Sequence, residues 1–103
     1  MQIKKIDNSC LIQGDCIEAM QMLIEQGVKV DAVITDPPYG TTACKWDTII
    51  PFEIMWVCLR KLRKNGCPIV LFGAEPFSSF LRISNIKEFK YDWVWKKVNR
   101  VQP

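Results

Sequence analysis

The chain has 103 residues, 49% of them apolar and 24% charged, with a net charge of +3 and no histidine. This length permits one domain, and the composition is that of a folded protein rather than a disordered one. The mild positive charge permits a nucleic-acid partner without demanding one, and no stretch approaches the roughly 20 apolar residues of a membrane span. Residues 1–8 lack the apolar centre of a signal peptide, which points to the cytoplasm. The five cysteines are odd in number, none are spaced C-x-x-C, and without histidine they argue against a metal site. They read as small thiols, buried or half-buried, in a reducing compartment.

Residues 10–13 read as a first strand ending at Gly14-Asp15, with Asp15 placed to cap the next helix. That helix, over 16–26, sets Ile17, Met20, Leu23 and Ile24 on one face, and Gly27 stops it. The β-branched run 32–35 is too short for a helix and reads as a buried strand. Pro37 and Pro38 cannot donate to a ladder and end it, and Gly40 lets the backbone turn away. A polar loop follows over 41–47. In it, Lys45 can meet a phosphate, and Trp46 either closes over a ligand or packs to pin the loop.

Pro51 suits a helix start, and Phe52, Met55, Trp56, Leu59 and Leu62 then fall at helical spacing, predicting a helix over 51–64. Arg60, Lys61, Arg63 and Lys64 read as a solvated helix end that complements the dipole, and Asn65-Gly66 as its stop. Residues 67–72 form a second buried strand, ended by Gly73–Pro76, where Gly73 and Glu75 read as a turn and a helix start. A third helix over 76–86 carries Phe77, Phe80, Leu81 and Ile83. Residues 90–97 alternate, with Tyr91, Trp93 and Trp95 on one face, and read as a last strand. Lys96, Lys97 and Arg100, running off its end, are candidates for phosphate contacts. Strands and helices in alternation predict an α/β fold with helices on the faces of a sheet.

The run 32–35 therefore ends in a stiff loop, Asp36-Pro37-Pro38-Tyr39, at the carboxyl end of a strand, where open α/β sheets bind ligands. It offers a carboxylate, a proline carbonyl and a flat phenol. Asp36 and the Pro37 carbonyl can accept the two hydrogens of an amino group on a planar ring, and Tyr39 can stack on that ring. An exocyclic base amine is a poor nucleophile because its lone pair is delocalised into the ring. Two acceptors that draw its hydrogens out of plane would localise the lone pair and aim it. Asp-Pro-Pro is also an ordinary way to leave a strand.

Asp36-Pro37-Pro38-Tyr39, with its strand and the upstream Gly14-Asp15-Cys16, resembles the start of the β-class DNA amino-methyltransferases, and the similarity runs over nearly all of the chain. The resemblance implies a Rossmann-like sheet and S-adenosylmethionine as methyl donor. It also implies double-stranded DNA as partner, with the target base flipped out of the duplex. Asp36, Pro37, Pro38 and Tyr39 would be the catalytic group, with Pro38 fixing the turn. Asp15 and Asp36 would contact the cofactor, Asp15 at its adenosine end; Asp15 as a helix cap alone is the other reading. Asp rather than Ser before Pro-Pro-Tyr leans toward adenine N6 over cytosine N4; an RNA base is a further alternative.

The family's Phe-x-Gly-x-Gly cofactor loop is absent from the sequence. In the β-class this loop lies downstream of a target-recognition region, as do the two strands that would separate strand 10–13 from strand 32–35. The expectation is therefore a truncated catalytic domain over 1–103, inactive alone, with exposed strand edges and a complementing C-terminal chain as a possible partner. A non-catalytic remnant or partner subunit that binds nucleic acid or a complementing chain is the alternative from another class.

Overall fold

In the computed structural model, which describes residues 1–45 and 47–98, the chain forms a small mixed α/β fold. The elements run β1 (Gln2–Ile6), β2 (Ser9–Gln13), α1 (Cys16–Glu25), β3 (Val33–Thr35), α2 (Phe52–Leu62), β4 (Ile69–Leu71) and α3 (Phe77–Ser84). Strands β3 and β4 pair in parallel, with Val33 opposite Ile69 and Thr35 opposite Leu71. Parallel neighbours need a long crossover, and α2 supplies it. Among the described residues, no helix is long and apolar enough to cross a membrane.

The core is built around α2. Met55, Trp56, Cys58, Leu59 and Leu62 are buried along one stripe of the helix. Met55, Trp56 and Leu59 pack against Met20 of α1, Val33 of β3, Ile69 and Leu71 of β4, and Leu81 of α3. Burying each such side chain is worth about 1.5–3 kcal/mol. The Trp56 indole N–H donates to Ser84 Oγ at 2.8 Å, so its polar end is satisfied. At the far end of α2, Lys29 Nζ donates to the Lys61 carbonyl at 2.7 Å, a cation on a helix C-terminus. Val30 then bridges the helix exit: its N–H donates to Leu62 O (2.8 Å) and its carbonyl accepts from Lys64 N–H (2.9 Å). The approach to β3 is thus anchored to the same helix that fills the core.

The structure departs from the sequence reading in two segments. Residues 2–6, unassigned from sequence, form β1, which pairs antiparallel with β2 through a two-residue turn. Asp7 in that turn takes φ 51°, a left-handed conformation that Asp tolerates. The hairpin hydrogen-bonds to neither β3 nor β4, so there are two two-stranded sheets. The predicted strand over 90–97 does not form: no residue from 90 to 98 is in a strand. Tyr91, Trp93 and Trp95 are 68%, 79% and 81% exposed, so they do not pack as strand residues either. Alternation makes a segment compatible with a sheet, but a strand exists only where a neighbour supplies the ladder. Here Asp92 is instead held to α3 by Arg82 at 2.9 Å. Of the apolar residues that the third helix carries, Phe77 is buried, whereas Phe80 and Ile83 are exposed.

Of the cysteines, Cys58 is buried and Cys67 half-buried, while Cys10, Cys16 and Cys44 are exposed. Ile34 and Phe72 are also exposed, so one face of the β3–β4 sheet is uncovered, unlike the doubly covered parallel sheets of larger α/β folds.

Behind α3, Glu88 closes the fold. Its carboxylate accepts from Asn85 Nδ2 (2.9 Å), Arg60 Nε (3.0 Å) and Arg63 Nη2. The Asn85 hydrogen bond and then the two arginines hold its pKa down, from 4.5 to about 2. Between those values the unfolded chain binds more protons, so stability should rise with pH there. The contribution is fully present above about 4.5 and lost as the pH falls through about 2. We expect Glu88→Gln to cost about 1 kcal/mol at neutral pH, after allowing for solvent screening of a partly exposed group. Thermal melts of both chains over the acid range should show a flatter pH dependence for the variant.

Candidate active site

The site grows from the carboxyl end of β3. Thr35 is the last paired residue, its carbonyl accepting from Phe72 N–H at 3.0 Å. Asp36 emerges exposed, Pro37 is buried, and Pro38 and Tyr39 are half-buried. The two prolines fix φ and carry no N–H, so the ladder stops and the chain leaves the sheet in one direction. Tyr39 curls back: its hydroxyl donates to Asp36 Oδ1 at 2.8 Å. Among the described residues, no protein donor reaches the Pro37 carbonyl.

Tyr39 is held from behind as well. Its ring stacks on Phe77 with centroids 5.1 Å apart and planes at 28°. Phe77, 3% exposed, in turn meets Phe52 at 5.7 Å. A column of three aromatic rings therefore runs from the starts of α2 and α3 to the motif. Burial raises the Tyr39 phenol pKa, and the Asp36 hydrogen bond and charge add to it. The phenol stays protonated through neutral pH and acts as a donor.

The loop after the motif folds around Asp47. The Asp47 carboxylate accepts from Gly40 N–H (2.9 Å), Thr41 N–H (3.0 Å), Thr42 N–H (2.8 Å) and Thr42 Oγ1 (2.7 Å). Its pKa is lowered, first by the Thr42 hydroxyl and then by the Gly40 amide and the other loop amides. Gly40 sits at φ 73°, and a Cβ there would lie 2.7 Å from Ile49 Cγ1, so glycine is required on both counts. Asp36, Pro37, Pro38, Tyr39, Thr41, Thr42 and Asp47 line an open cleft of about 330 Å³, at the small end for a small-molecule site.

The four predicted motif residues are thus brought together on one cleft. Of the other predicted residues, Asp15, Lys45, Lys96 and Lys97 do not line it. Asp15 caps α1, accepting from Glu18 N–H at 3.0 Å. Lys45, Lys96 and Lys97 are exposed. Trp46 and Arg100 lie outside the described residues. Glu75 accepts from Ser79 N–H at 2.9 Å and Ser79 Oγ at 2.7 Å, as expected of a helix start. Two residues that sequence reading did not place here are Asp47 and Phe77. An acid closing a Gly-Thr-Thr turn was the available signal for Asp47, since short polar side chains bond nearby backbone N–H groups. Phe77 was legible only as a helix-face residue.

The arrangement can hold a planar ring on Tyr39 with an amino substituent directed at Asp36. One carboxylate oxygen is already engaged by the phenol, which leaves Oδ2 and the Pro37 carbonyl as acceptors. No protein family, no curated protein and no solved structure matches the chain.

Proposed function

We propose that this chain carries the amino-group-holding part of a DNA amino-methyltransferase acting on adenine N6. The observation that carries the reading is the convergence of Asp36, Pro37 and the Phe77-backed Tyr39 ring on one cleft at the end of a parallel strand. The motif and its upstream Gly-Asp resemble those of the β-class enzymes. The separate β1–β2 hairpin and the uncovered face of the β3–β4 sheet agree with a Rossmann-like sheet whose remaining strands come from elsewhere.

In this reading a flipped base stacks on Tyr39. Its amino hydrogens are taken by Asp36 Oδ2 and the Pro37 carbonyl, and the nitrogen lone pair is thereby localised. Asp36 need not be a strong base, because the amine can lose its proton after transfer. The implied methyl donor, S-adenosylmethionine, does not fit the residues present on their own. Among the described residues, the cleft is lined by Asp36–Tyr39, Thr41, Thr42 and Asp47, Asp15 stands outside it as a helix cap, and no glycine-rich turn offers backbone N–H groups. Its cradle would come from a complementing segment or chain, and double-stranded DNA would be the substrate.

The test uses nucleosides on the 103-residue chain. In amide-detected NMR, adenosine should shift the signals of Asp36 and Tyr39–Thr42, whereas inosine, with an oxo group in place of the amine, should not. Equal shifts with both, or none with adenosine, would sink the reading. A stronger response to cytidine would move the substrate to cytosine N4.

A further inference from the structure

Three successive backbone N–H groups, from Gly40, Thr41 and Thr42, converge on one carboxylate that is 8% exposed. The Thr42 hydroxyl adds a fourth donor to the same group. Among the described residues, Asp47 takes part in no ion pair, and amide and hydroxyl dipoles meet its charge. Its own N–H donates to Cys44 O at 3.0 Å, which closes the loop on itself. The first amide it holds belongs to the residue immediately after Tyr39. Tyr39 is thus fixed at its hydroxyl by Asp36, at its ring by Phe77, and at its following peptide by Asp47.

We propose that Asp47 is a positioning residue for the cleft: it sets the Gly40–Thr42 wall and the seat of Tyr39, and so selects the planar amine that enters. This rests on the amino-methyltransferase reading for the identity of the ligand, but not for the geometry. The physical reason is that four donors in one turn cannot be satisfied by the loop's own carbonyls. Without the carboxylate they turn to water, and the wall loses its single conformation. An acid is required rather than an amide, because an asparagine would point an N–H₂ group at N–H donors.

The experiment compares the wild-type chain with Asp47→Asn and Thr42→Val. Thr42→Val removes the hydroxyl donor and leaves the three amides in place. The probe is adenosine, with inosine as control. The readouts are the Gly40, Thr41 and Thr42 amide shifts, the Tyr39–Phe77 ring-proton cross-peaks, and a circular-dichroism melt. We expect Asp47→Asn to weaken adenosine binding about 10-fold. The adenosine-to-inosine preference should also fall, at a temperature where the chain is still folded. We expect Thr42→Val to cost about 3-fold, with little change in the melt. A role confined to folding would shift the melt and leave the preference intact, which overturns the proposal. If Asp47→Asn does not fold, Thr42→Val decides: an unchanged preference overturns the proposal. If the wild-type chain takes up no adenosine, the function reading fails by itself. The positioning role is then decided by the cross-peaks: their loss in Asp47→Asn supports it, and their persistence overturns it.

Discussion

Replacing Asp36 by alanine should lower methyl transfer about 10²–10³-fold in any assembly of this chain that performs it, the usual cost of removing one preorganised polar group from a reacting centre. The argument is geometric. Among the described residues, Asp36 is the only carboxylate in the cleft with an oxygen not committed to the protein: both Asp47 oxygens accept from loop donors, and Asp36 gives one oxygen to the Tyr39 hydroxyl. Without it, the amine keeps one acceptor, the Pro37 carbonyl, and its lone pair stays in the ring. Stacking on Tyr39 should survive, because Phe77 holds that ring independently of Asp36. The measurement is tritiated methyl incorporated into DNA, run beside the fluorescence of 2-aminopurine at the target position. Transfer should collapse while the fluorescence rise on base flipping remains. Near-normal transfer would remove Asp36 from the chemistry.

The second large effect concerns the core. Leu59→Ala should destabilise the chain by about 2–5 kcal/mol through lost burial and the cavity left behind. Leu59 is 4% exposed and belongs to the cluster shared by α1, α2, β3, β4 and α3. A domain this small has a stability near the low end of about 5–15 kcal/mol, so the loss is a large share of the total. A urea titration followed by circular dichroism should show the midpoint fall sharply or the folded baseline vanish. A midpoint within error of wild type would mean that α2 is not the centre of the core.

What could be read in advance follows from how local each feature is. Helix α2 was legible because its buried residues recur at helical spacing behind a proline start. β3 and β4 were legible because short apolar runs are fenced by Pro and Gly. β1 was not, since Lys4 and Lys5 break the apolar alternation and every residue of the strand is exposed. Its one signal was the Asp7-Asn8 turn between two short β-branched segments. The aromatic segment 90–97 was over-read, because a strand depends on a neighbour that its own residues cannot specify. The same division holds in the cleft. Asp36, Pro37, Pro38 and Tyr39 announce themselves as a contiguous motif. The Phe77 contact exists only because β3 and β4 lie side by side and bring the start of α3 next to the loop.

The independence of the β1–β2 hairpin carries a thermodynamic consequence. Its ten paired residues hydrogen-bond only to each other, and all but one are exposed. A two-stranded hairpin in water is marginal by itself. The chain is therefore expected to divide into two cooperative units of unequal depth: a shallow one over the hairpin, which should exchange its amide hydrogens without disturbing α2, and a deep one around Leu59. The motif at Asp36 belongs to the deep unit, through Phe77 and Phe52. The geometry of the cleft would thus draw its rigidity from the half of the molecule that opens last.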